Sequence, residues 1–203
     1  MDRIRYFIQQ SWLLLVSAFC FGLLIAATNY ALAPRIRQNK IDKLNARARA
    51  LLSEQAHLVP AAEVQIYSIG GKKEKVQIYR AEVDGNCIGW SFNAAGPGFA
   101  DKIELVIAVD KSFSKIAGFD CLQSNETPGF GDQIKSSYFR DQFAGAPVGI
   151  LTLVTDGDAS KIDSEIVAIT GATISSESVV NIINNTLLQV KDELEKRGLI
   201  GGD

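Results

Sequence analysis

One threonine at the start of a helix is the residue of this chain best suited to carry a bound group. In the segment Thr170-Gly171-Ala172-Thr173, small residues precede a stiff, β-branched hydroxyl and leave the backbone open to a bulky group. A helix N-terminus has unpaired N–H groups and a partial positive charge, so the pattern predicts that a phosphate on or beside Thr173 is favoured. From the pattern alone, an ordinary helix cap explains the same residues and is the more common case.

The residues after Thr173 predict a long amphipathic helix. Polar residues at 175–178 suit its first turn, and Gly198, preceded by two basic residues, marks its end. The apolar residues that share one helical face are Val179, Val180, Ile183, Leu187, Val190 and Leu194.

A second motif earlier in the chain makes a family resemblance specific. It reads N-E-T-P-G-F-G over residues 125–131. Together with T-G-A-T at 170–173, it resembles the FMN-binding domain shared by the G subunit of the Rnf complex and the C subunit of the sodium-translocating NADH:quinone oxidoreductase. The family's loop is E-T-P-G-L-G, with Phe130 here in place of leucine, and the likeness covers roughly residues 60–195.

The resemblance implies that FMN is attached to Thr173 through a phosphoester. It further implies a separate flavin transferase, which uses FAD: the threonine hydroxyl displaces AMP at the FMN phosphate. In the family an acidic residue usually stands three positions before Thr170, where this chain has Val167; Asp163 and Glu165 lie nearby but out of register. The implied cofactor-binding residues are Thr173, Thr170, Gly171, Ala172, Ser175, Ser176, Glu126, Thr127, Pro128, Gly129 and Phe99.

The resemblance implies that two loops border the flavin. Pro128 and Gly129 would form a rigid turn that lets the backbone approach the isoalloxazine, and Phe99 or Phe130 would cover a ring face. For the glycine-rich segment 95–99, a simple turn is at least as good an explanation.

By resemblance, the chain is an electron-transfer subunit of an ion-translocating ferredoxin:NAD oxidoreductase (Rnf) complex, an electron carrier rather than a stand-alone catalyst. Its expected partners are the other membrane subunits, the flavin transferase and membrane lipid, with the flavin domain outside the cytoplasmic (inner) membrane. The C subunit of the sodium-translocating NADH:quinone oxidoreductase is an alternative, although chain length favours the Rnf type. A membrane-tethered assembly module without redox chemistry is a further alternative.

The remaining reactive residues predict no catalytic or metal site. The three cysteines form no C-x-x-C motif, so the chain cannot alone supply an ordinary four-cysteine iron–sulfur cluster. The sequence leaves open whether Cys87 and Cys121 form a disulfide or remain two free thiols. The single histidine, His57, lacks neighbouring ligands. A net charge of −2 argues against nucleic-acid binding.

An N-terminal anchor is expected to hold this site at a membrane. Residues 12–32 contain no charge and would form roughly 30 Å of helix, which matches a bilayer core. A cleaved signal peptide is the alternative. Residues 1–11 would be the cytoplasmic N-terminus. More basic residues follow the span than precede it, and this count favours an orientation with the following domain in the cytoplasm. We prefer the opposite orientation, which the resemblance implies.

The remaining residues predict a helix and then an α+β domain. A juxtamembrane helix is expected over 33–59, and the FMN-binding domain over 60–203. In the domain, alternating apolar residues and Gly-containing turns predict one mainly antiparallel sheet with helices packed against it. The expected strands are 64–69, 75–83, 87–92, 102–110, 115–122 and 150–154, with a short helix near 136–143.

Overall fold

The structure, a computed structural model, describes residues 2–201 and divides into two units, Met1–Asp42 and Lys43–Asp203. Helix α1 (Asp2–Leu52) contributes residues to both units. Its Gln10–Leu52 portion contains an 18-residue window with a mean hydropathy of 2.1, and by length and composition it can cross a membrane. The prediction of a long apolar helix near the N-terminus is confirmed.

Five antiparallel strands form a meander in the second unit, as the sequence predicted. Their order in the sheet is their order in the chain. The first strand begins before the predicted Val64, because it lies at the sheet edge, where Pro60 is tolerated beside a bulge. The strands are β1 (His57–Tyr67), β2 (Lys73–Val83), β3 (Asn86–Pro97), β4 (Lys102–Asp110) and β5 (Ile116–Gln123).

The juxtamembrane helix predicted over 33–59 is too long at its C-terminal end. The helix stops at Leu52, and the Ala56 N–H donates to the Ser53 carbonyl at 3.0 Å in the turn that leads into β1. From His57 onward the residues pair with β2 instead. The polar residues around His57 concealed this edge strand, whose backbone groups are satisfied by the ladder to β2 rather than by further helical turns.

Helix α3 (Thr173–Lys196) packs with one face of the sheet in the main hydrophobic core. All six residues of its predicted apolar stripe are buried, which confirms the helical periodicity. Gly198 ends the helix with φ +66°, and the Leu199 N–H donates to the Leu194 carbonyl at 3.0 Å.

Between β5 and α3 the chain forms short helices and a two-stranded parallel sheet. Three aromatic rings, Phe119, Phe139 and Phe143, meet edge to face there and anchor the short helices to β5. Strand β7 (Glu165–Val167) was not predicted, since three residues are too few to show an alternating pattern. The elements are 3₁₀ helix Gly131–Lys135, α2 (Ser137–Arg140), 3₁₀ helix Asp141–Phe143, β6 (Thr152–Val154) and β7 (Glu165–Val167).

The end of α1 that belongs to the second unit is held by a buried carboxylate. Asp120 on β5 accepts hydrogen bonds from Arg47 at 2.6 Å and from Arg140 at 2.7 Å. Burial by itself raises the pKa of Asp120, but the hydrogen bonds from Arg47, the Cys121 N–H and Arg140 hold that pKa below its usual value. Leu44 and Ala48 of the same helix segment pack beside Val106.

Candidate functional site

Thr173 is the first residue of α3, and its side chain is exposed. The turn before it is closed by the Ala172 N–H, which donates to the Ile169 carbonyl at 2.9 Å. Gly171 has φ +80°, a conformation that favours glycine, and a Cβ there would lie 3.3 Å from the Phe130 ring. The small residues of the motif are therefore required by the turn as well as by the open space around it.

The start of α3 presents unpaired backbone donors. The N–H groups of Thr173, Ile174 and Ser175 precede the first intrahelical bond, which the Ser176 N–H makes to the Ala172 carbonyl at 3.0 Å. Within residues 2–201 these three N–H groups have no acceptor. A phosphate or carboxylate at this helix end would supply acceptors for these N–H groups and a charge that the helix dipole favours.

A cavity of about 530 Å³ opens beside Thr173. It brings together the two sequence motifs and the turn between β3 and β4, which are distant in the chain. Exposed apolar side chains border it: Phe99 is 62% exposed, Phe130 56% and Ile174 55%. Its lining consists of Phe99, Thr127, Phe130, Gly131, Gly171, Ala172, Thr173, Ile174 and Ser175.

The second motif forms a tight turn at the edge of this cavity. The Phe130 N–H donates to the Thr127 carbonyl at 3.2 Å, with Pro128 and Gly129 at the two central positions. Gly129 has φ +79°, so the turn has the proline and glycine positions typical of type II. Pro128 and Gly129 shape the loop but do not line the cavity.

Glu126, at the start of the same loop, lies behind the cavity wall. It is 4% exposed. Its Oε2 accepts a hydrogen bond from the Ser175 hydroxyl at 2.5 Å, and its Oε1 accepts one from the Ala100 N–H at 3.1 Å. Ser175 thus faces the cavity on one side and this carboxylate on the other.

The other residues expected at the site divide between turn and surface. Ser176 is buried and braces the turn: it donates to the Ala172 carbonyl at 3.0 Å and accepts from the Ile169 N–H at 3.1 Å. Thr170 is exposed and does not line the cavity. Gly131 and Ile174 line it but were not among the expected residues. The only sequence signal for Ile174 was an apolar residue next to Thr173 that is not part of the buried apolar stripe of the helix.

The cysteines are free thiols, which settles the disulfide left open by the sequence. Gly89 on β3 pairs with Asp110, whereas Cys121 pairs with Leu105. The two β4 partners are five positions apart, roughly 17 Å along the strand, so Cys87, two residues before Gly89, is too far from Cys121 to form a disulfide. Burial raises the pKa of the Cys121 thiol. Across the described residues, 2–201, no three histidine, cysteine or acidic side chains cluster as metal ligands.

Sequence comparison identifies relatives that match most of the chain. The FMN-binding domain family matches residues 98–188, which include both motifs. The G subunit of the proton-translocating ferredoxin:NAD(+) oxidoreductase complex of Clostridium ljungdahlii is 30% identical over 177 residues, covering 87% of this chain and 88% of the relative. The G subunit of the corresponding Na(+)-translocating complex of Acetobacterium woodii is 30% identical over 180 residues, covering 85% of each chain.

Structural comparison agrees on the fold. The crystal structure of the C subunit of the Na(+)-translocating NADH-quinone reductase from Parabacteroides distasonis aligns with a TM-score of 0.57 and 19% identity. The alignment covers 83% of this chain and 98% of that chain. The long N-terminal helix followed by a five-stranded antiparallel sheet with helices is therefore the fold of such FMN-binding domains.

Proposed function

Because this chain belongs to the FMN-binding domain family that includes the G subunits of ion-translocating ferredoxin:NAD(+) oxidoreductase complexes, we propose that it is an electron-transfer subunit of such a complex. It carries FMN on Thr173 through a phosphoester. Its partners are the other subunits of the complex, and a flavin transferase during maturation. The observation that carries the proposal is the exposed Thr173 hydroxyl at the N-terminus of α3, on the wall of the cavity that joins both motifs.

The start of α3 fits the phosphate of FMN. A phosphate on the Thr173 oxygen would lie beside N–H groups that have no other acceptor within residues 2–201. The helix dipole favours negative charge at the same place. Thr173 acts only as acceptor and tether, since the transferase supplies the chemistry of attachment, and no general base of this chain is needed.

The cavity fits the ring system. Phe99, Phe130 and Ile174 offer apolar surface to a planar aromatic group, and their present exposure to water is a cost that a bound ring would remove. Gly171 and Gly131 let the backbone come close to it. Bound FMN would supply one- or two-electron exchange.

The long apolar helix and the relatives' membrane complexes support anchoring of this chain in a membrane. We place the flavin domain on the extracytoplasmic side of the cytoplasmic membrane, as the family resemblance implies. A covalent tether is useful there because it keeps the cofactor from diffusing away from the cell. Protection of the domain from external protease in intact spheroplasts would contradict this placement.

The test is production of the full-length chain together with its flavin transferase, followed by a denaturing gel viewed under ultraviolet light. We expect a fluorescent band that disappears in Thr173→Ala and partly persists in Thr173→Ser, because serine keeps the hydroxyl. Thr152→Ala is the matched control: this threonine is also exposed, but it lies outside both motifs and does not line the cavity, so its band should remain. Mass spectrometry that finds the Thr173 peptide unmodified in a working complex would refute the proposal.

A second candidate is the C subunit of a Na(+)-translocating NADH-quinone reductase, which the shared fold supports. Co-purification separates the two candidates: ferredoxin-binding iron–sulfur subunits indicate the first complex, and quinone-linked subunits the second. An assembly module without a cofactor would give no fluorescent band in any variant.

A further inference from the structure

A buried acidic side chain lies directly behind the proposed flavin site. Glu126 is 4% exposed, whereas the next four residues of its loop are exposed. Glutamate is rarely buried unless its oxygens are satisfied, because removing a carboxylate from water is costly. The fold therefore has to supply hydrogen-bond donors to both oxygens of Glu126. These donors belong to segments that form the cavity wall.

The two oxygens of Glu126 join three segments of the cavity. Oε1 accepts from the Ala100 N–H in the turn that carries Phe99, and Oε2 accepts from Ser175 in the first turn of α3. Glu126 itself begins the loop that carries Phe130. One side chain thus fixes the relative positions of the two exposed aromatic residues and the helix end that bears Thr173.

Two glycines accommodate this carboxylate. A Cβ on Gly98 would lie 2.4 Å from the Glu126 Oε1, and a Cβ on Gly131 would lie 3.0 Å from its Oε2. Neither glycine has a positive φ, so the backbone conformation does not require them. The two glycines leave room for Glu126 and for its neighbours, because the added Cβ would also lie 2.5 Å from the Asp101 carbonyl oxygen at Gly98 and 2.7 Å from the Ser175 hydroxyl oxygen at Gly131.

Among the described residues, the charge of Glu126 has no cationic partner. Both of its donors are neutral, and the structure of residues 2–201 shows no ion pair to it. The dipole of α3 offsets only part of the charge, because a helix N-terminus carries a positive charge of only about half a unit. A buried, unpaired negative charge separated from the cavity by one serine side chain opposes the arrival of an electron there, because its field is weakly screened.

We propose that Glu126 is a positioning residue that assembles the cavity from its three segments, and that its fixed charge lowers the reduction potential of a flavin bound on Thr173. The second half of this proposal rests on the proposed function, and the first half does not. The first half concerns hydrogen bonds that exist in the chain without any cofactor.

The first experiment measures hydrogen exchange of the full-length chain in detergent without flavin. Glu126→Ala removes both hydrogen bonds, so the amide of Ala100 should exchange at least about tenfold faster, read from peptides that cover residues 98–104. Glu177→Ala is the matched control, because Glu177 is an exposed carboxylate in the same helical turn and should leave that amide unchanged. Unchanged exchange in Glu126→Ala would overturn the positioning role.

The second experiment measures the reduction potential of the flavin in the loaded protein. Glu126→Gln removes the charge but keeps the shape, so we expect the ratio of reduced to oxidised flavin at a given potential to rise about tenfold, as for a unit charge about 10 Å away in a protein. This ratio corresponds to about 59 mV for a one-electron couple. Glu177→Gln removes an exposed charge and should shift the potential much less.

A third variant keeps the second half of the proposal testable if Glu126→Gln is too unstable to load. Ser175→Ala leaves the charge but removes the hydroxyl that partly neutralises it, so the potential should move in the opposite direction, to more negative values. A loaded Glu126→Gln protein with the parental potential, or a Ser175→Ala protein with a raised potential, would overturn the electrostatic role. Absence of flavin from the parent itself would instead refute the proposed function and with it this half.

Discussion

Two glycines with nearly the same φ allow the role of the Gly171 turn to be measured. Gly171 has φ +80° and Gly129 has φ +79°, but an added Cβ meets the Phe130 ring at 3.3 Å only at Gly171. At Gly129 nothing lies within 4 Å. Substitution by alanine should therefore cost a similar backbone free energy at both sites, and should push against the Phe130 ring only at Gly171.

The magnitudes follow from these two contributions. An L-residue in this conformation costs about 1–2 kcal/mol, and the loss of glycine's freedom in the unfolded chain returns about 0.4–1 kcal/mol, so both variants should lose about 1 kcal/mol of stability. Because the Phe130 ring is 56% exposed and free to rotate away, Gly171→Ala should cost at most about 0.5 kcal/mol more. The ring then leaves the cavity wall, and we expect Gly171→Ala alone to lower covalent flavin loading.

The assay combines thermal unfolding of the flavin-free, full-length chain with in-gel flavin fluorescence after exposure to the transferase. For a domain of this size, about 1 kcal/mol corresponds to a fall of about 2–4 °C in Tm. Should Gly171→Ala lose about 2 kcal/mol more than Gly129→Ala, the Phe130 ring is rigidly held and the explanation fails. Equal flavin loading of the two variants would show that this ring does not contribute to the site.

Other predictions concern the neighbouring strand and the sheet. Val167→Asp should raise flavin occupancy if the missing acidic residue limits the transferase. Because Val167 is only 7% exposed, the buried carboxylate should also lower the free energy of unfolding by about 2 kcal/mol. If a partly loaded parent shows the same occupancy as the variant, the acidic residue does not limit the transferase. Because the pKa of Asp120 is depressed in the folded chain, its stabilising effect is complete above the unfolded value of about 3.9 and is lost as pH falls through the lower folded value. Asp120→Asn should therefore lower the free energy of unfolding by about 2 kcal/mol at pH 7, a figure that allows for solvent screening because Arg47 is 47% exposed. Below about pH 4, the free energy of unfolding of this variant should depend less on pH than that of the parent. If the free energy of unfolding falls equally steeply with decreasing pH in parent and variant, this role is contradicted.

Much of the fold was predictable because its determinants are local. Alternation of apolar residues identified β4 within its observed bounds, and the helical stripe after Thr173 identified α3. The end of α1 was not predictable in the same way. The residues near His57 form a strand only because β2 lies beside them, and β7 forms only against β6.

The site shows the same division. The sequence by itself determined where the Thr173 hydroxyl stands, because a turn of small residues before an amphipathic helix is encoded within a few neighbouring positions. Only the tertiary structure decided that Phe99, Phe130 and Ile174 border one cavity, and that Glu126 lies behind the wall rather than in it. Those arrangements depend on packing between segments far apart in the chain, and local sequence patterns carry no information about such contacts.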